Sequence, residues 1–165
     1  MTGAPAAPEY ARFESEADFQ LAVERLLAQP GRELRIFDPD LSGLKPNSPA
    51  RVAQLETFLQ QSRTRRIYVV VHDTDHITKR CPRLMELLGR YSHMMQVNRS
   101  HEEIRSIQDA FLVLDALHYV RRPAAGFYRG AIGINDDAEA QAMRSRFLEI
   151  WQASFPGVSS TTAGL

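Results

Sequence analysis

The stretch Arg66-Ile67-Tyr68-Val69-Val70-Val71 places the strongest constraint on this chain. Five apolar residues run from Ile67 to Val71 without a polar break, and four of them are β-branched. A strand with one wet face alternates apolar and polar residues, so an unbroken run implies a strand covered on both faces. Such a strand needs other strands beside it and helices above and below. At 165 residues, 44% of them hydrophobic, the chain can supply both in one domain without disulfides or a structural metal.

The flanking segments have the required patterns. "SEADFQLAVERLLAQPG" carries Phe19, Ala22, Val23, Leu26 and Leu27 at helical spacing, with Ser15 to cap the start and Pro30-Gly31 to end it. Leu34 to Phe37 reads as a short strand that turns at Asp38-Pro39-Asp40. "NSPARVAQLETFLQQS" predicts a second helix, capped by Ser48 with Pro49 in its first turn. "CPRLMELLGRYS" predicts a third, and "MQVNRS" a brief strand. "DAFLVLDALHYVRRP" reads as two strands around a turn near Asp115 to Leu117, followed by a strand in "GAIGIN". The last helix runs from about Asp136 to Ala153, with Asp136 and Glu139 at capping-box spacing.

Strands alternating with helices predict parallel pairing in the first half, and consecutive strands predict antiparallel pairing in the second. The expected fold is α/β, a mixed β-sheet flanked by helices on both faces. Residues 14–155 form the expected domain, with flexible tails over 1–13 and 156–165, where periodicity is lost.

Charge is balanced, with 20 basic and 20 acidic residues, and offers no clear nucleic-acid signature. The single cysteine, Cys81, excludes an internal disulfide framework and suits a reducing compartment. No apolar run approaches the ~18 residues of a membrane span, and the first residues lack the charged start and apolar stretch expected of a signal peptide. A cytoplasmic protein is expected.

Two acidic turns follow predicted strands, Asp38-Pro39-Asp40 and "HDTDH". Parallel neighbours would bring them together at the carboxyl edge of the sheet, where ligands of open α/β folds bind. Asp38, Asp40, His72, Asp73, Asp75 and His76 are therefore the candidate pocket or metal residues. A divalent cation such as Mg²⁺, Mn²⁺ or Zn²⁺ among them would activate water for phosphoester hydrolysis. The competing reading is plain turn chemistry, because Asp, Thr and Pro satisfy backbone groups wherever strands end. His72 and His76 have the i, i+4 spacing that suits a helix, but they follow a strand, and the chain has no His-Glu-x-x-His. The turn reading is preferred.

Cys81 precedes Pro82 at a predicted helix start, where a dipole lowers a thiol pKa; a small buried residue is the preferred reading. "RTRR", Arg63 to Arg66, reads as a solvated face at the opposite edge. Arg121, Arg122 and Arg129 flank a loop and form a candidate anion patch, with a solvated loop the preferred reading. "GAIG" opens a strand and lacks dinucleotide-fingerprint spacing.

From "QDAFLVLDALHYVRRP" through "GAIGINDDAEAQAMRSRFLEIWQAS" the chain resembles one half of a phospholipase D-type domain, a likeness that extends over roughly residues 34 to 155. That family carries His-x-Lys-x-x-x-x-Asp along a strand, then Gly-Ser-x-Asn, then a helix with a Phe…Trp pattern. The aspartate place falls on Asp115, the second motif on Ile132-Gly133-Ile134-Asn135, and the helix pattern on Phe147 and Trp151. Counting back from Asp115, Gln108 stands at the histidine place and Ala110 at the lysine place. The family's reaction needs an imidazole nucleophile and a lysine on the phosphate oxygens, so the motif is degenerate. Asp115 and Asn135 then read as strand-end and helix-cap residues.

The pattern is also similar to a proteobacterial domain family of unknown function, found alone or attached to acetyltransferase domains. Its marks are an acidic turn after the first strand, "RI…V…D" in the second, and "eA…F..iW..S" at the end. Together the resemblances imply a bacterial, non-catalytic phospholipase D-like unit, a pseudoenzyme acting as a binding or regulatory module without a cofactor. The related fold works by pairing two units, which implies a protein partner or a homodimer. The alternative is the metal-dependent phosphoesterase built on the acidic turns.

Overall fold

The computed structural model describes residues 6–159. In chain order its elements are β1 (Glu9–Phe13), α1 (Glu16–Leu27), β2 (Glu33–Asp38), α2 (Pro49–Gln60), β3 (Arg66–Val71), α3 (Asp75–Arg80) and α4 (Pro82–Arg90). They continue with β4 (Met95–Ser100), β5 (Ala110–Leu114), β6 (His118–Arg122), β7 (Gly130–Ile134), α5 (Asp137–Gln152) and β8 (Ser154–Val158). Short 3₁₀ turns occupy Ser42–Leu44 and Glu102–Ile104.

The eight strands form one mixed sheet in the order β1-β7-β6-β5-β2-β3-β4-β8. β3 is parallel to β2 and β4, as helical crossovers require, and the remaining neighbours are antiparallel. The run Ile67–Val71 is central, with every member but Tyr68 fully buried. Its alternate residues point to opposite sides. Ile67, Val69 and Val71 join the core beneath α1, α2 and α4, together with Phe19, Phe58 and Leu87. Val70, with Phe37 and Phe111, meets Ala140, Met143, Phe147 and Ile150 of α5, the one α-helix on the other face among the described residues. Burying a side chain the size of Phe147 contributes on the order of 1.5–3 kcal/mol, so this single helix anchors its whole layer.

Several expectations are corrected. Residues 9–13 are not a tail: they form β1, because Phe13 is buried against Phe19 and the strand pairs with β7. Residues 154–158 likewise form β8 against β4. Of the rest of the two expected tails, residues 6–8 and 159 have no regular structure, and residues 1–5 and 160–165 lie outside the described residues. "DHITKR" is a short helix, nucleated where the Asp73 carboxylate accepts the Asp75 amide at 2.8 Å. Ser15 and Ser48 cap α1 and α2 as expected. The capping box of α5 does not form, because Asp136 accepts the Tyr119 hydroxyl at 3.1 Å instead. Nor is "RTRR" wholly solvated: Arg65 is buried, its guanidinium 4.3 Å from the centre of the Phe58 ring.

Candidate functional site

The two acidic turns are adjacent. Parallel pairing sets Asp38 beside Val71, and the backbone amides of His72 and Asp73 both donate to the Pro39 carbonyl, at 2.8 and 3.0 Å. Their side chains nevertheless do not converge. Asp38 is the last residue of β2 and lies on the α1 face, 3% exposed. One carboxylate oxygen accepts from the amides of Asp40 and Leu41, and the other pairs with Arg122 at 2.6 Å. Burial pushes this carboxyl above its ordinary value, while Arg122 and the two amides pull it back down. Asp40 turns on its own loop, accepting from the Ser42 amide and hydroxyl.

His72 projects from the opposite face. Its ring lies edge-on to Phe37, with Nε2 2.7 Å from the Ile107 carbonyl and Nδ1 2.6 Å from the Ser100 hydroxyl. A carbonyl only accepts, so Nε2 carries a proton there, and both ring nitrogens are occupied. Asp73 and Asp75 are exposed; Asp73 starts α3, and Asp75 sits 3.5 Å from Lys79. His76 lies on α3, half-buried. Among the described residues no three His, Cys, Asp or Glu side chains are arranged to hold a metal ion. The sheet's alternation explains the separation: it sends Asp38 and His72 to opposite faces even though their backbones touch.

The candidate anion patch also divides. Arg121 and Arg122 are consecutive on β6 and therefore face opposite ways. Arg122 is 4% exposed; besides Asp38 it donates to the Ala125 carbonyl and lies 4.6 Å from the centre of the Phe19 ring. Gly43 makes room for it, since a Cβ there would stand 3.0 Å from the guanidinium. Arg121 lies 3.7 Å from Asp109, a carboxylate already held by the guanidinium of Arg146. Arg129 stacks on Phe127, 5.4 Å from the ring centre. Arg121 and Arg129, with Arg12, Tyr10 and Tyr119, line a groove of about 530 Å³ on the α5 side of β1, β7 and β6. Gly133 of β7 leaves room for Tyr119, because a Cβ there would come within 2.3 Å of its ring. Burial and the bond to Asp136 push the Tyr119 hydroxyl well above its ordinary value.

The four positions that the resemblance assigns to the motif fall at two ends of the sheet. Gln108 and Ala110 stand at the start of β5. Gln108, Asp38, Asp40, Ser42 and Arg122 help line a cleft of about 400 Å³. Ala110 is paired with Arg122 across the strands, so a cation of β6 stands opposite the lysine place. Asp115 sits at the far end of β5 in the left-handed conformation, φ 53°, and its carboxylate accepts the amides of Arg32 and Glu33. It is a strand-end residue, as expected. Asn135, φ 56°, does not cap α5; its amide donates to Nδ1 of buried His118, whose pKa burial lowers. Cys81 is fully buried, and burial raises its pKa, which favours the inert thiol.

Sequence reasoning missed the partners: Arg122 for Asp38, Ser100 and Ile107 for His72, Arg146 for Asp109, and His118 for Asn135. Each comes from a distant element. The consecutive Arg121-Arg122 on a strand was the one available signal that they could not serve a single patch.

The match to a family model carries the assignment. Residues 15–159 match the domain of unknown function DUF7931. The chain belongs to this family. No curated protein matches it. Solved structures share the fold of this DUF7931 domain. Nuc from Salmonella typhimurium, a phospholipase D family member, is 11% identical with a TM-score of 0.68, covering 93% of this chain and 100% of that one. NucT from Helicobacter pylori is 9% identical with a TM-score of 0.61, covering 92% and 100%. TrmBL2, an archaeal chromatin protein with a novel mode of DNA binding, is 9% identical with a TM-score of 0.64, covering 90% of this chain and 54% of its own. The mixed sheet with helices on both faces is thus a phospholipase D-type fold. Among the described residues, no helix is long and apolar enough to cross a membrane.

Proposed function

We propose that this DUF7931 domain is a non-catalytic binding or regulatory module on a phospholipase D-type fold. It acts in a bacterial cytoplasm and takes another protein or a second copy of itself as partner. The observation that carries this reading is the chemistry of the cleft at the start of β5. Gln108 and Ala110 replace the imidazole and ammonium that the resemblance calls for, and neither can attack phosphorus or neutralise a phosphate oxygen. Arg122, the cation opposite Ala110, is buried and committed to Asp38 at 2.6 Å. The free Cys81, fully enclosed, is compatible with a reducing compartment. That TrmBL2 is a DNA-binding chromatin protein supports a binding role for this fold.

No observation favours the phosphoesterase alternative, since the carboxylates and His72 are turned to different faces and held by protein donors and acceptors. The test is a phosphodiester assay on the full chain with bis(p-nitrophenyl) phosphate, phosphatidylcholine vesicles and DNA, with and without Mn²⁺, Mg²⁺ and Zn²⁺. Wild type should match a Gln108→Ala variant and the buffer blank. A metal-dependent or metal-free rate that Gln108→Ala or His72→Ala abolishes would sink the reading.

A further inference from the structure

The two edges of the sheet are finished differently. β8 includes Pro156, which has no N–H, and its pairing with β4 shifts register between Val97 and Asn98. Prolines and bulges are two of the devices by which natural edge strands refuse further strands; charged side chains are another, and in β1 these are Glu9, paired with Arg25, and Arg12. β1 has neither proline nor bulge. Glu9 to Phe13 pair with β7 residue for residue without a shift, and contain no proline or lysine. The first four of these residues are exposed, and Tyr10, at 63%, is the most exposed large hydrophobic side chain among the described residues. Alternate residues of an antiparallel strand turn N–H and C=O away from the neighbour they already have, so among the described residues β1 presents a row of free backbone groups.

We propose that β1 is an assembly edge, pairing antiparallel with β1 of a second copy about a two-fold axis at Ala11 and joining two sheets into one. The proposal builds on the binding-module reading by naming its partner and its surface. Self-pairing follows from the side chains. Tyr10 and Arg12 point to the groove side, while Glu9 and Phe13 point to the α1 side, where Glu9 meets Arg25 at 2.8 Å and Phe13 meets Phe19. A perpendicular two-fold keeps each face continuous, so only residues of the same face oppose one another. The register that overlaps the whole strand puts Ala11, the smallest side chain, on the axis. It sets each Tyr10 against the partner's Arg12, a cation–π pairing made twice, and each Glu9 against the partner's Phe13. No like charges meet. The next registers allowed by the pleat oppose Arg12 with itself or Tyr10 with itself, and each pairs fewer residues. Neither Tyr10 nor Arg12 has a hydrogen bond or ion pair within the described residues that this pairing would have to break.

The experiment is sedimentation velocity and light scattering of the full chain over a concentration series. Wild type should show a concentration-dependent monomer–dimer equilibrium. Tyr10→Lys, at an exposed site and with its fold checked by circular dichroism, places a lysine against the partner's Arg12 twice and should weaken the dimer about tenfold or more. Tyr10→Lys combined with Arg12→Glu places opposite charges there and should restore it, which a general loss of stability would not allow. A chain that stays monomeric at every concentration overturns the proposal. So does a dimer indifferent to Tyr10→Lys, or one that the double variant fails to rescue. The phosphodiester assay is read separately: turnover with an intact dimer would overturn the non-catalytic reading alone, and an inactive monomer the β1 pairing alone.

Discussion

The carboxyl ends of β2 and β3 carry nearly the same letters, Asp38-Pro39-Asp40 and Asp73-Thr74-Asp75, and lie side by side, yet their physical roles differ. Asp38 is still inside the ladder, paired with Val71, so its side chain lies flat on the α1 face and is sealed there against Arg122. Asp73 lies two residues past the end of β3, outside the ladder, where its carboxylate is exposed and starts a short helix. Between them His72, one step past β3, is turned to the α5 face and held by Ser100 and Ile107. A shift of one or two residues relative to the last ladder pair therefore separates a core ion pair from a locked imidazole and from a surface turn.

The largest test of this contrast is Arg122→Ala, which leaves the Asp38 carboxylate buried without its cation and should cost about 3–5 kcal/mol in urea unfolding. Asp38→Asn combined with Arg122→Met should lose much less than the two single changes added together, because no unpaired charge is left behind. The same pair sets a pH dependence. Burial raises the folded-state pKa of Asp38 above its unfolded value, so the native state binds this proton more readily. Stability should therefore fall as pH rises from about 4 through the folded-state pKa, with the full cost present above it. Asp38→Asn should flatten that slope in the weakly acid range, and an unchanged slope would show that other groups set it.

The intermediate test is His72→Ala. Removing the ring leaves the Ser100 hydroxyl, fully buried, and the Ile107 carbonyl without their partner, and should cost about 2 kcal/mol by the same measurement. A variant as stable as wild type would mean that His72 is not locked and is open to another role. At the small end stands Asp73→Ala, which removes the acceptor at the start of α3 and should cost about 0.5–1 kcal/mol. Asp75→Ala breaks only an exposed ion pair with Lys79 and should cost below ~0.5 kcal/mol. A reversed order, with the Asp73 turn outweighing Asp38, would break the comparison.

Most of the layer arrangement was legible before any coordinates. Ile67–Val71 could only be a strand covered on both faces, the caps Ser15 and Ser48 stand where expected, and alternation followed by consecutive strands gave parallel and then antiparallel pairing. β1 and β8 were hidden for a physical reason. "EYARF" and "SFPGV" are edge strands, half-exposed and short, so their periodicity is weak; they are ordered by backbone pairing to β7 and β4, which leaves no mark in local composition.

The sequence by itself determined the apolar faces of the central strands and of the helices, because period and apolar content are local properties. It also placed an acidic turn after each of two strands, while their adjacency came from the parallel pairing of β2 with β3. Only the tertiary structure decided what those turns do. Strand direction and register send Asp38 and His72 to opposite faces of one sheet, and the groups that hold them come from β6, β4 and the segment before β5. A hydrogen bond or ion pair between residues dozens of positions apart depends on how layers stack, and chemical letters alone carry no record of that geometry.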